Sequence, residues 1–328
     1  MADNGASGKL TIRLASHGDY NAVMRISEGI YAGTDYLPAK FHSWIDNPDV
    51  TVFLATVGDQ VVGLKASKVM ESGTAFITKA SRVAPNWTGQ GIDRQLSLHL
   101  DTWMRQNHPT VKYKRSVTMS DSPRAESLKR KMNFIFNLPL AYYQCGPSLW
   151  WRQDPDQLVQ LDTTGLPDVV PLQAADDDFC TAVQKWLPAE ACGSHDGKPI
   201  ILVDWDPYTL SPANLKHLQK QRALFTLKHN GESSLSIVAS NPAPLGTQLC
   251  IDIYARDFPT WKKHVLKHLH DASIRFKSDH ICAKMFVGLP ELELDSVHDF
   301  CTDVLKMDKI KLSDRDTRIR ADVFECEL

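Results

Sequence analysis

The stretch Arg82–Leu96, RVAPNWTGQGIDRQL, constrains this chain more than any other. A run that reads as a strand feeds Gly89-x-Gly91, and the glycines open an amphipathic helix over Arg94–Asn107. Backbone N–H groups converge in a turn of this kind, and the helix start adds partial positive charge. A diphosphate can settle there without any lysine. Two other phosphate-binding readings fail on residues. A dinucleotide-binding fingerprint needs a third glycine where Arg94 stands, and a Walker A loop needs Gly-Lys-Ser/Thr, which is absent. The bland alternative is a tight turn and nothing more, for which a lone G-x-G gives about even odds.

The surrounding pattern is mixed α/β. Strands are expected over 9–14, 51–57, 61–70, 74–83, 111–118 and 134–143, with helices over 17–30 and 124–132 and a short one ending near Trp44. The order then repeats. Strands at 169–172, 223–229, 235–240, 248–254, 281–287 and 318–325 alternate with helices at 177–187, 215–221, 261–275 and 297–307. Residues 204–214 are expected to be a loop that matches Tyr36-Leu37-Pro38-Ala39 in the first copy. The second copy has no glycine turn before its long helix. The expected organisation is a flexible leader over 1–9, a first domain over 10–149, a linker over 150–168 anchored by Trp150-Trp151, and a second domain over 169–328.

Composition removes several classes of function. With 328 residues and 43% hydrophobic content, two ordinary cores are affordable. A net charge of −2, from 37 basic and 39 acidic residues, argues against a nucleic-acid partner. No apolar run is long enough for a bilayer, and MADNGASGKL lacks the features of a signal peptide. Seven cysteines without a C-x-x-C pair read as reduced thiols, so a cytoplasmic location is expected. His264, His268 and His270 share one helix, but without HExxH or a third ligand they read as a solvated face, and no metal is expected. Gly-x-Ser-x-Gly is absent, which removes the usual esterase reading.

Val83, Pro85, Gly89 and Gly91 follow the V-x-P-x-x-R-G-x-G-x-G/A pattern of the GNAT superfamily of N-acetyltransferases, which this chain resembles. Thr88 and Asp93 depart from it, and Asp93 brings a carboxylate that would repel phosphate. Ser122, Ala125, Leu128, Lys131 and Phe134 follow the superfamily's downstream signature, with Asn133 at its glycine position and Lys129 where a proton-donating Tyr is common. More narrowly, the chain resembles the vertebrate histidine N-acetyltransferases. The blocks are Ile30-Tyr31, Gly33, Asp35-Tyr36-Leu37-Pro38, Ser43-Trp44, Arg82-Val83-Ala84-Pro85, Asp204-Trp205, Pro207-Tyr208, Ser211, Asn214-Leu215, Ile251-Asp252 and Asp299-Phe300-Cys301.

The resemblance implies two tandem GNAT lobes, each a mixed sheet flanked by helices, and transfer of acetyl from acetyl-CoA to the α-amine of free histidine or a related small amine. It implies coenzyme contacts at Arg82, Val83, Thr88, Gly89, Gln90, Gly91, Ile92 and Asp93, and a second lobe without a coenzyme loop. Tyr36, Lys79 and Lys129 are the catalytic candidates, and Tyr31, Asp35, Tyr36, Lys65, Asp204, Trp205 and Tyr208 the acceptor-binding ones. The family carries glutamates near positions 65 and 79. Lys65 and Lys79 here would suit a more acidic acceptor, and a cation at 79 would favour the free amine of the substrate. Both lysines facing solvent is the equal alternative, and a catalytically silent tandem module is the other-class reading.

Overall fold

A computed structural model describes residues 9–27, 30–173, 177–311 and 319–328, so all of the expected leader except Lys9 lies outside the described residues. Contacts divide the chain into two compact units, Met1–Ser116 with Glu325–Leu328, and Val117–Phe324.

The first unit contains β1 (Leu10–Leu14), α1 (Tyr20–Ile26), α2 (Leu37–Asp46), β2 (Val50–Val57), β3 (Gln60–Met70), β4 (Ala75–Val83), α3 (Ile92–Asn107) and the start of β5 (Tyr113–Met119). Strand order is β1-β2-β3-β4-β5, antiparallel except for β4–β5. In β2 both faces are buried. Val52 and Leu54 pack with Val23, Leu37 and Phe41 of α1 and α2, while Phe53 and Ala55 pack with Ile92, Leu96, Leu100 and Met104 of α3. Helices on both faces explain why these strands read as apolar runs rather than alternating ones. Val57 pairs with Gln60 across a two-residue hairpin in which Gly58 takes φ 55°. The helix expected over 17–30 is shorter. It ends at Ile26, with Ser27 already out of helical geometry and Ile30–Gly33 forming a separate single turn.

The second unit follows with α4 (Pro123–Lys129), β6 (Asn133–Cys145), α5 (Trp150–Gln153), α6 (Asp156–Gln160), β7 (Val170–Pro171), α7 (Asp177–Trp186), β8 (Gly193–His195), β9 (Lys198–Val203), β10 (Asp206–Thr209), α8 (Pro212–Gln221) and β11 (Ala223–His229). It continues with β12 (Glu232–Ala243), β13 (Gly246–Tyr254), α9 (Phe258–Arg275), β14 (Ile281–Gly288), α10 (Leu294–Asp299), β15 (Asp308–Lys309) and β16 (Arg320–Glu327), whose end returns to the first unit. Its main sheet runs β7-β11-β12-β13-β14-β6, with β15 also on β6. Strand β6, read from sequence as the end of the first domain, groups here because its Leu140–Cys145 half pairs with Phe286–Ile281 of β14. Trp151 is fully buried and its indole donates to the Leu305 carbonyl at 2.8 Å, so the 150–168 segment is pinned to this core.

Two expectations change in this unit. Residues 204–209, expected to lie in a loop, join 193–203 in a three-stranded antiparallel sheet, β8-β9-β10. Its hairpin turn is Asp204-Trp205, with φ 46° and 70°, where sequence rules look for Asn-Gly or Asp-Gly. The histidines of α9 do not form a solvated face either. His264 and His268 are buried against β12, where Ser234 and Ser236 bond to His264 at 2.8 and 2.7 Å and Ser236 bonds to His268 at 2.7 Å. Hydroxyls on the facing strand make burial of two imidazoles tolerable. Among the described residues no helix is long and apolar enough to cross a membrane.

Two outcomes are expected. A Cβ on Gly63 would stand 2.8 Å from Cγ2 of Ile92, where α3 lies on β3. Gly63→Val should therefore destabilise the protein by about 1–3 kcal/mol in urea unfolding, since overpacking displaces the helix. Burial pushes the His264 imidazole down to about 3 from an ordinary 6.5. Between those values the unfolded chain takes up a proton that the folded one refuses. Stability should thus fall as pH drops below about 6.5, by up to ~1.4 kcal/mol per pH unit from this group. His264→Gln should flatten that limb of the curve.

Candidate active site

The site begins with a register error in β4. Leu64 faces Arg82 but Ala66 faces Lys79, so β4 carries one more residue than β3 across this span. Ala80 absorbs the extra residue at φ 44°, a left-handed conformation that alanine rarely takes. The parallel ladder to β5 covers Ala75–Thr78 and Tyr113–Ser116 and stops there, just before the bulge. Beyond it β4 runs on to Val83, paired with Gly63 of β3.

A single turn at Pro85–Trp87 then leads to Gly89 at φ 82° and Gly91 at φ 77°. Both conformations strain any residue with a side chain. A Cβ built at either glycine meets no atom within 4 Å, so the bend is open on that side. Gly91 is the N-cap of α3 and no side chain caps it, which leaves first-turn N–H groups for a ligand. Thr88 and Gln90 are exposed, and the Gln90 amide reaches back to the Asn86 carbonyl at 3.2 Å. Ile92 is buried and Val83 packs against the same core, so these two anchor the bend rather than line it.

The two departures noted in the sequence meet each other. Lys65, which faces the bulge, is 1% exposed, and its ammonium donates to Asp93 Oδ1 and Ser97 Oγ, both at 2.6 Å. It is neither a solvent-facing lysine nor a cation held open for an acceptor. The Asp93 carboxylate also accepts from Ser81, the residue next to Ala80 in the bulge. Lys79 is half-buried at the edge of the same bulge.

Arg82, read from sequence as a coenzyme contact, turns instead toward the residues read as an acceptor wall. Its guanidinium lies 5.1 Å from the Tyr31 ring centroid and 5.9 Å from that of Tyr36. Nη2 is 3.4 Å from Asp35 Oδ1, and Nη1 donates to the Ser81 carbonyl at 3.1 Å. Asp35 Oδ1 also accepts from Leu37 N–H at 3.1 Å, starting α2. Nε of Arg82 and Oδ2 of Asp35 are buried without a hydrogen-bond partner. Buried polar atoms in that condition are costly and cluster where a ligand completes them. Burial raises Tyr36 well above the usual phenol range, with Arg82 opposing, so the hydroxyl keeps its proton and can donate it. The R-V-A-P block gave Arg82 as a site residue, but nothing in its spacing showed which way the side chain turns.

In the second unit, Asp204 sits under the strained turn. Its Oδ2 is 2.8 Å from Arg222, its Oδ1 pairs with Lys284, and its N–H donates to Asp252 at 2.8 Å. Burial pushes the Asp252 carboxyl up to about 7, with Lys284 opposing and Asp204 reinforcing. Asp252 is a buried ionisable group that the sequence offered only as part of an Ile-Asp block. Trp205 packs edge-on to Phe286 at 5.1 Å, and Tyr208 is buried with its ring 6.2 Å from His217. Lys129 lies on the surface, its ammonium 2.9 Å from Glu126 one turn away, and that partner raises its pKa. The second unit differs from the first at the equivalent helix start. Asp257 N-caps α9, accepting from Thr260 N–H at 2.9 Å, and β12 pairs with β13 in one register from Leu235–Tyr254 to Ala243–Gly246, without a bulge.

Residues 197–287 match the family model described as Histidine N-acetyltransferase, C-terminal. Over 94% of its length the chain is 26% identical to Probable N-acetyltransferase 16 of Homo sapiens, covering 85% of that protein. It is 25% identical to the Histidine N-acetyltransferase of Xenopus tropicalis, over 91% of both chains. Among solved structures, a tandem GNAT protein from the clavulanic acid biosynthesis pathway superposes with a TM-score of 0.51 at 11% identity, over 97% of this chain and 98% of that one. The chain has the tandem GNAT fold and is similar along nearly its whole length to proteins named histidine N-acetyltransferase.

Proposed function

We propose that this protein is an acetyl-CoA-dependent N-acetyltransferase acting on the α-amine of a free amino acid, histidine or a related small amine, with its coenzyme site in the first unit. The observation that carries the reading is the open, uncapped bend at Gly89–Gly91 directly after the bulged end of β4. The whole-length similarity to proteins named histidine N-acetyltransferase supports the acceptor class. The second unit supports the fold but not a second coenzyme site, because Asp257 already fills the helix start where a diphosphate would go.

Acetyl-CoA brings an acyl group already activated as a thioester, so the protein's task is positioning and charge placement. First-turn amides of α3 and those of the Gly89–Gly91 bend hold the diphosphate. The bulge re-aims the main chain of β4, and an amide there polarises the thioester carbonyl. Tyr31, Asp35, Tyr36 and Arg82 form the acceptor wall, in which Asp35 Oδ2 and Arg82 Nε are buried without hydrogen-bond partners and supply the charges that recognise an amino acid's ammonium and carboxylate. Tyr36 acts as a proton donor rather than a base, since burial keeps it protonated. Lys79 at the bulge depresses the acceptor's ammonium pKa and raises the fraction of free amine.

The open bend also weighs against a catalytically silent module, which has no need of two glycines at positive φ around an uncapped helix start. Thiol release from acetyl-CoA, measured across the amino acids, tests the assignment directly. Histidine or a close relative should be the best acceptor, and no release with any amine would defeat the reading. Gly91→Val forces a branched side chain into the left-handed region. It should raise KM for acetyl-CoA at least about tenfold while the fold survives. Lys79→Glu should shift the ratio of kcat/KM toward histidine over acidic amino acids. An unchanged ratio would take Lys79 out of the acceptor site.

A further inference from the structure

The charged cluster behind the coenzyme bend has no assigned role. Lys65, Asp93, Ser81 and Ser97 come from β3, the first turn of α3, the β4 bulge and the second turn of α3. Asp93 is 46% exposed in its side chain and lies two residues past Gly91, so an unmatched carboxylate there would face any diphosphate held at the bend. Lys65 is buried, with its ammonium 2.6 Å from that carboxylate. Ser81 ties the same oxygen to the bulge, and Ser97 donates to the Asp93 carbonyl at 2.8 Å while accepting from Lys65.

We propose that Lys65 and Asp93 work as one charge-neutral pair that sets coenzyme affinity: Lys65 cancels the carboxylate in the first turn of α3, and the shared Ser81 contact couples the phosphate bend to the bulge that orients the thioester. This rests on the coenzyme site being at Gly89–Gly91. Lys65 and Asp93 are positioning residues, since they act on the coenzyme through field and geometry rather than by touching the reacting atoms. The electrostatics give the two members opposite signs. Removing the cation leaves a carboxylate beside the diphosphate and weakens binding. Removing the carboxylate leaves a cation there and strengthens it.

The test is steady-state kinetics on the full chain at low and high salt, with desulfo-coenzyme A titrated by calorimetry. Lys65→Met should raise KM for acetyl-CoA about tenfold, leave KM for the amine near its starting value, and recover partly as salt screens the repulsion. Asp93→Asn, which keeps polar contacts, should lower KM for acetyl-CoA. The double variant should return close to the original value. Thermal unfolding run alongside identifies a variant that has lost its fold, and Asp93→Asn then decides alone through its sign. Weaker coenzyme binding by Asp93→Asn, or a double variant as impaired as Lys65→Met, would overturn the proposal. Gly91→Val separates the two levels. If it leaves coenzyme binding intact, the coenzyme site itself is elsewhere. If it abolishes binding while Lys65→Met has no effect, only the charge-pair proposal falls.

Discussion

One extra residue in β4 organises the first unit. Ala80 takes it up in a left-handed conformation, and the strand changes direction where its ladder to β5 has just ended. Strain of this kind costs of order 1–3 kcal/mol and persists only where surrounding packing over-determines it. Here Ala80 is buried in the core formed by α1, α2, β2 and β3, with Leu64 and Ala66 of β3 in the same cluster. Ser81, adjacent to the strained residue, is held by the Asp93 carboxylate at the helix start. The bulge and the glycine bend are therefore parts of one object, a strand end and a helix start fastened through side chains.

The second unit shows what the same framework becomes without those features. Its antiparallel pair β12–β13 keeps one register along its length, and the helix that follows β13 is capped by its own aspartate. Among its residues at positive φ are Asp204 and Trp205, which form the β9–β10 hairpin turn. That turn is secured by ionic contacts from Asp204 to Arg222 and Lys284 and by a bond to the buried Asp252. Breaking one partner of such a network strands the others in a low-dielectric interior, which makes the network a determinant of this unit's shape. The charged residues Asp204, Asp252 and Lys284 thus have a structural account whether or not they also meet a ligand.

Much of the fold was legible because it rests on local patterns. The glycine bend, the four-residue spacing of Ile92, Leu96, Leu100 and Met104, and the Gly58 turn between two strands are all read within a few residues. The β8-β9-β10 sheet was not legible, since its strands are short and its turn uses Asp-Trp in place of a glycine pair. The α9 histidines looked like surface residues, because only the facing serines of β12 make their burial tolerable. The direction of Arg82 was hidden for a related reason. Strand alternation and a bulge decide which face a side chain takes, and a one-residue shift reverses the answer.

By itself the sequence determined the class of fold, the succession of most of its elements and the glycine bend that opens α3, because each depends on periodicity and on residues with special φ. Tertiary structure alone decided which charges face one another. Lys65 and Asp93 are 28 positions apart, and each on its own reads as a departure that harms the site. Brought within hydrogen-bonding distance they neutralise each other, since Coulomb energy depends on separation in space, which the order of residues along a chain does not contain.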